Sequence, residues 1–288
     1  MIADDRRDRA LGALVGLAIG DAVGTTLEFV TRDSRPPLTD MVGGGPFGLE
    51  PGEWTDDTAM ALCLADSLFA TDGKVVPRHL LACFVNWWRH GVNSVTGNCF
   101  DIGMATFVAL DAFERNGTLE NNTNPDYQAN GSIMRLAPVA LCARSRSEAV
   151  ALALAQGRTT HAAPVPQQCC AQLAAFLWDM IETGRMPGQL SATASRPRED
   201  IISTGHAPAT LDAACWCVAT TGDFRSAVLK AANLGDDADT VGAVTGQLAG
   251  ALYGLSAITA DWLEKLAWRD DIVARGEKLW ALRDRTTN

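Results

Sequence analysis

The sequence predicts an all-α protein, folded as a single compact helical domain over residues 1–288. Three observations carry that expectation. Ala and Leu dominate an apolar share of 47%, only 7% of residues are aromatic, and β-branched runs are scarce, a balance that favours packed helices. No segment shows the strong period-two alternation of a half-buried strand. Two segments instead repeat glycine every four residues: Gly12, Gly16, Gly20 and Gly24, then Gly242, Gly246, Gly250 and Gly254.

In chain order, the first predicted helix is Arg9 to Gly24. Glycine costs about 1 kcal/mol against alanine inside a helix, so a stripe of it needs a packing reason. Close backbone approach supplies one: the two striped helices pack on each other, or on one shared central helix, and join the chain's ends. Arg32 to Glu53, rich in Gly and Pro, reads as an irregular loop. Helices are then expected over Thr58 to Ala70, Pro77 to His90, Gly103 to Arg115, Pro138 to Cys142, Ser147 to Gln156, Pro166 to Thr183 and Leu211 to Thr220. Pro187 to Pro208 is a second irregular loop, and Val241 to Gly254 is the second striped helix.

A net charge of −10 argues against nucleic acid, whose phosphates are bound by Lys/Arg surfaces. The eight cysteines include no Cys-x-x-Cys pair, so they read as small buried hydrophobes in a reducing, cytoplasmic setting rather than as a zinc site. Ala10 to Gly20 has the look of a signal-peptide core, but Asp4, Asp5 and Asp8 cancel Arg6, Arg7 and Arg9. Val241 to Ile258 is apolar yet contains Gln247 and is shorter than the roughly 20 residues that span a bilayer. Both are expected to be core helices, with no membrane partner, and the three Asn-x-Ser/Thr sequons then have no role.

Chemistry concentrates at two helix starts. Thr55-Asp56-Asp57-Thr58 and Gly235-Asp236-Asp237-Ala238-Asp239-Thr240 each bring carboxylates and hydroxyls together. Taken singly, each fits a helix cap with acids in the first turn. A cap accounts for one carboxylate, however, and not for the rest. Hard oxygen ligands of this kind select Mg²⁺, Mn²⁺ or Ca²⁺. Paired, the clusters suit a binuclear site with ions about 3.5–4 Å apart.

The motifs around these clusters resemble the ADP-ribosylglycohydrolase family, in particular its bacterial dinitrogenase-reductase-activating branch. They are Gly16-x-x-x-Gly20-Asp21-Ala22-x-Gly24 ending in Glu28, Gly52-Glu53-Trp54-Thr55-Asp56-Asp57-Thr58, Thr96-Gly97-Asn98-Cys99-Phe100-Asp101-Ile102-Gly103, Asn130-Gly131-Ser132-Ile133-Met134-Arg135, Thr160-His161, and Gly235 to Gly242. They lie in register along most of the chain.

The resemblance implies an all-α orthogonal helical domain and removal of ADP-ribose from a modified protein side chain, with arginine the favoured linkage. It implies Thr55, Asp56, Asp57, Asp237, Asp239 and Thr240 as ligands of two Mg²⁺ or Mn²⁺ ions. Asp101 and Glu28 match the family's functional acids, one as base and one orienting the ring, with the assignment open; both also fit solvated or capping roles. The diphosphate is expected on the backbone amides of Asn130, Gly131 and Ser132, helped by Arg135, for which a salt bridge within the loop is the other reading, and Met134 is implied as a further substrate-binding residue. His161 is expected to contact the ligand. His206 stands where the family commonly has a Tyr that stacks on adenine, a departure that puts adenine recognition in question.

The ADP-ribosylated protein is the implied substrate and ADP-ribose the product. Alternatives are hydrolysis of serine-linked or small-molecule conjugates, an immunity protein that occludes an ADP-ribosylating toxin with or without hydrolysis, and a purely structural homologue.

Overall fold

A computed structural model describes residues 2–283, with side chains from Asp5 onward, so both ends of the expected 1–288 domain lie outside the described residues. Among the described residues there are thirteen α-helices and no strand. They are α1 (Ile2–Gly24), α2 (Asp56–Ala70), α3 (Pro77–His90), α4 (Met104–Asn116), α5 (Ala137–Cys142), α6 (Arg146–Arg158), α7 (Pro164–Thr183), α8 (Gly188–Ser191), α9 (Ala207–Ala219), α10 (Phe224–Ala232), α11 (Ala238–Tyr253), α12 (Ala260–Lys265) and α13 (Arg269–Leu282).

The centre of the fold is the antiparallel pair α1–α11, and the two glycine stripes face each other directly. A methyl group added to Gly12, Gly16, Gly20 or Gly24 would overlap the backbone of Gly250, Gly246, Gly242 or Ala238 respectively. Of the two packings the stripes allow, direct contact is the one observed. The apolar length of α1 that matches a membrane span is 94% buried, as expected of a core helix. One cluster of buried apolar side chains runs from Ala10 in α1 to Leu282 in α13, with α2, α5, α7 and α10 packed around the central pair.

Several helix starts differ from the sequence reading, mostly at proline. Helix α7 begins at Pro164 rather than Pro166, and α9 at Ala207, so Pro208 opens a helix instead of closing a loop. Proline is compatible with a first helical turn because its missing N–H has no intrahelical partner there. The Pro187–Pro208 loop carries α8 and two short 3₁₀ turns. Helices α10, α12 and α13 are additional to those predicted. The first of them has a clear local cause: the Asp223 side chain accepts from the Ser226 amide at 2.8 Å and caps it.

The antiparallel pair fixes what lies near what. It sets the end of α1 and the segment after it beside the start of α11. Glu28 therefore meets the second acidic cluster, while Asp21 holds the start of α2 and with it the first.

Candidate active site and metal centre

Neither acidic helix start is capped by its own N-cap side chain. Thr55 holds the N-cap position of α2 and Asp237 that of α11, and neither side chain makes a cap hydrogen bond. The caps come from elsewhere in the chain. Asp21, fully buried in α1, accepts from the Thr55 amide (2.9 Å), the Thr55 hydroxyl (2.8 Å), the Thr58 amide (3.0 Å) and the Thr58 hydroxyl (2.6 Å). Glu28 Oε2 accepts from the amides of Ala238 (2.7 Å) and Asp239 (3.2 Å) at the start of α11. With the Thr55 and Thr58 amides held by Asp21 and the Ala238 and Asp239 amides by Glu28, Asp56, Asp57 and Asp237 are left out of capping, while Asp239 Oδ1 accepts from the Thr240 amide at 2.6 Å.

The two starts converge. The Thr55 hydroxyl lies 3.2 Å from Asp239 Oδ2 and 3.5 Å from Asp57 Oδ2, and the Thr240 hydroxyl is 3.5 Å from Asp57 Oδ2. Glu28, Asp237 and Asp239 each offer a carboxylate oxygen within 4.8 Å of the others. The Asn130 amide fixes Asp237, donating to its Oδ2 at 2.5 Å and to the Thr210 hydroxyl at 2.9 Å. Asp239 is central: its carboxyl is within hydrogen-bonding reach of both Glu28 and Asp101.

So many buried acids cannot all be charged without a counter-charge. Burial, reinforced by Asp239, pushes Glu28 up to about 11. Burial likewise raises Asp237 and Asp239 to about 7 and Asp101 to about 6, with Asp237 repelled further by Asp239 and Asp239 by Asp101. Asp56 and Asp57 are raised well above the carboxylate range, first by burial and then by neighbouring acids. One oxygen, Asp57 Oδ1, is buried with no hydrogen-bond partner. An orphaned carboxylate oxygen among desolvated acids and inward hydroxyls is a donor set for hard divalent cations, and these residues fit such ions.

A cavity of about 350 Å³ opens onto this cluster. Of the residues singled out in the sequence, Glu28, Asp56, Asp101, Asn130, Gly131, Met134, His161, Asp237, Asp239 and Thr240 line it. Thr55 and Asp57 lie buried behind that wall. Asp101 is not the N-cap of α4, a role held by Gly103; it sits in the left-handed region (φ 57°) with its carboxyl toward the cluster. Phe29 and Asp236, also at positive φ, are hydrogen-bonded to each other's segment through Phe29 N to Asp236 O (2.7 Å), which ties the Glu28 loop to the start of α11.

Three residues expected at the substrate lie off the cavity wall. Arg135 is fully buried and does not line the cavity: its guanidinium lies over the Phe84 ring and donates to Gln156 Oε1 (2.9 Å) and the Thr160 hydroxyl (2.7 Å). Neither a diphosphate nor an acidic partner reaches it there. Ser132 is likewise fully buried, its hydroxyl turned to Cys170 Sγ, and is absent from the cavity wall. His206 sits at the N-cap of α9, exposed and hydrogen-bonded to Gln128 Oε1 at 2.5 Å; its neighbour Gly205 lines the cavity and it does not.

Two residues of this site carried no assigned role in the sequence reading. Asp21 had a usable signal, since a lone carboxylate inside a buried glycine-striped helix must find several donors. Phe29 stands 67% exposed at the mouth, beside Phe47 and Phe100, and no periodicity marks it.

An all-α fold whose two acidic helix starts share one cavity, with further acids on its wall, presents a carboxylate-rich site that could hold divalent cations. A family model described as ADP-ribosylglycohydrolase matches residues 2–288, and the chain belongs to that family of glycosyl hydrolases. It is similar to an ADP-ribosylarginine hydrolase Tri1 from Pseudomonas putida (strain GB-1), 47% identical over 95% of this chain and 78% of that protein. It is also similar to the ADP-ribosyl-[dinitrogen reductase] glycohydrolase of Rhodospirillum rubrum, 32% identical over 90% of each. A solved ADP-ribosylglycohydrolase-related protein complex aligns with a TM-score of 0.84 at 35% identity, covering 97% of this chain and 99% of that one.

Proposed function

We propose that this ADP-ribosylglycohydrolase acts on ADP-ribosylarginine in proteins and does so with two Mg²⁺ or Mn²⁺ ions. The observation that carries the reading is the meeting of the two acidic helix starts at one cavity, with Glu28 and Asp101 both within reach of Asp239. Relatives named for ADP-ribosylarginine support the linkage.

Thr55, Asp56, Asp57, Asp237, Asp239 and Thr240 would hold the ions, whose charge lets the buried acids ionise and orients vicinal ribose hydroxyls and a water. Hydrolysis breaks the bond from the ribose anomeric carbon to the guanidine nitrogen and forms one to the water oxygen. The transition state carries positive charge on the ribose, which the carboxylates around it stabilise. Asp101 is the proton acceptor in this reading, being raised to about 6 and less firmly tied than Glu28. Glu28, anchored on two amides of α11, holds negative charge beside the ring. The departing guanidine leaves past the aromatic mouth of Phe29, Phe47 and Phe100, whose faces favour a planar cation. Eight cysteines, free in the structure, agree with action in a reducing compartment such as the cytoplasm.

The test is incubation with arginine-linked and serine-linked ADP-ribosyl peptides in Mg²⁺, Mn²⁺ or chelator. Release of ADP-ribose from the arginine peptide alone, abolished by chelator, is the expected outcome. Release from the serine peptide alone would overturn the linkage, and full activity in chelator would overturn the metal requirement.

A further inference from the structure

Behind the cavity wall lies a chain of polar groups that the hydrolytic reaction does not use. Arg135, Gln156 and Thr160 are fully buried, and no carboxylate pairs with the guanidinium by ion pair or hydrogen bond among the described residues. Its contacts are Gln156 Oε1 at 2.9 Å, the Thr160 hydroxyl at 2.7 Å, the Met60 sulfur at 3.8 Å from Nη1, and the face of Phe84 at 4.5 Å. Gln156 is oriented by its own second bond, its amide nitrogen donating to the Ser132 carbonyl at 2.8 Å. Burying an arginine without a counter-ion costs free energy, so its retention calls for a function.

The direction of the hydrogen bonds supplies one. A guanidinium only donates, so the Thr160 oxygen accepts from Arg135 Nη2. That oxygen has a second partner, His161 Nδ1 at 2.7 Å. If Nδ1 carried the proton, Thr160 would accept twice, and its own buried hydroxyl proton would have no acceptor among the described residues. The lower-cost arrangement has Thr160 donating its one proton to Nδ1. The imidazole proton is then on Nε2. Burial and the nearby Arg135 charge push His161 down to about 3, so the ring is neutral even though the adjoining cavity is crowded with acids.

We infer that Arg135, through Thr160, locks His161 as a neutral Nε2–H donor aimed at an acceptor oxygen of ADP-ribose in the cavity. Arg135 and Thr160 are positioning residues; His161 makes the contact. The packing agrees: His161 lines the cavity, and a methyl group on Gly131 would meet its ring at 2.8 Å from Cε1 and 3.1 Å from Nε2. Gly131 thus leaves the donating edge uncovered, beside the Asn130 amide that orients Asp237. The buried arginine acts on the ligand through a tautomer rather than by direct contact.

This inference rests on the cavity taking ADP-ribose, and the experiment separates the two claims. The full chain is labelled with ¹⁵N-histidine, and two-bond nitrogen–proton correlations are recorded at neutral pH, with His161→Gln identifying one signal among four histidines. An Nε2–H neutral ring is expected; an Nδ1–H ring or an imidazolium at His161 overturns the lock. ADP-ribose binding is then measured for Thr160→Val and Thr160→Ser. The valine variant, which keeps shape and loses the hydroxyl, should bind roughly tenfold more weakly, and the serine variant should bind as wild type does. Equal affinities for the two variants overturn the proposal, because a purely packing role would not distinguish them by the hydroxyl. If Thr160→Val does not fold, the wild-type spectrum and the serine variant still decide it. Wild-type protein that shows the Nε2–H ring yet binds no ADP-ribose overturns the ligand contact and the functional reading, not the relay geometry.

Discussion

The two acidic helix starts look alike in sequence and are served differently in space. At α2 the borrowed cap is Asp21, sealed in the core and saturated by four hydrogen bonds from Thr55 and Thr58. At α11 it is Glu28, which gives one oxygen to two amides and still lines the cavity. Both solve the same problem, unpaired N–H groups at a helix start. One solution is sealed within the fold and the other is exposed to the ligand. The difference teaches that a carboxylate's capping role and its availability for chemistry are separable, and that saturation of its lone pairs tells them apart.

The largest effect is expected from breaking the frame that brings both caps to their helices. Gly20 of α1 abuts Gly242 of α11, and a methyl group there would overlap the opposing carbonyl. Gly20→Ala should therefore cost at least ~3 kcal/mol in urea denaturation, against the propensity gain of about 1 kcal/mol the same change brings in an open helix. A neutral or stabilised variant would mean the stripes do not set the interhelical distance.

Swapping the caps one at a time sharpens the comparison itself. Glu28→Gln keeps an oxygen for the α11 amides, so stability should change by less than about 1 kcal/mol while kcat falls ~100-fold. Asp21→Asn places an amide where a carboxylate accepts on all sides. It strands a Thr58 donor and should cost about 2 kcal/mol of stability, with turnover per folded molecule falling less than in Glu28→Gln. Denaturation and steady-state kinetics on both variants decide the matter; similar profiles for the two would erase the distinction.

Much of this was legible in the sequence, for definable reasons. Glycine every fourth residue has few uses other than close helix contact, so Gly12–Gly24 and Gly242–Gly254 disclosed the central pair. The acidic clusters disclosed the candidate metal site because Thr55–Asp57 and Asp237–Thr240 exceed what caps need. Arg135 could not be placed from sequence, since an arginine beside Asn130-Gly131-Ser132 reads equally as a phosphate ligand. Only the fold shows it turned inward onto Phe84 and Thr160. The Ser132 side chain was not legible for the same reason: a turn's residues point different ways, and composition does not say which. Helices α12 and α13 were overlooked because the chain beyond the second stripe carries no motif and its helices bury a narrower face.

The smallest expected effect tests whether both starts form one electrostatic unit. Without metal, burial first and then neighbouring acids hold Asp21, Asp237 and Asp239 at about 7, and burial raises Asp101 to about 6, all above their unfolded values near about 3.9. The folded chain then binds more protons than the unfolded chain between those limits. The stability these groups contribute is fully present below about pH 4 and is lost as pH rises through 6 to 7. Chelator-treated protein should therefore show a falling Tm across that window, and Mg²⁺ or Mn²⁺ should flatten or reverse the slope. Asp57→Asn replaces a carboxyl whose ionisation is opposed first by burial and then by Asp239 and Asp21, and so removes the cost of keeping it protonated in the fold. In chelator near neutral pH it should raise stability by about 1 kcal/mol, while weakening metal binding measured by calorimetry. A substitution that stabilises the empty protein and weakens its metal binding would show that the acids at α2 and α11 are held together against their repulsion. A chelated wild type whose Tm climbs from pH 5 to 8 by about 1 kcal/mol or more in stability would show instead that they titrate as two separate, solvated caps.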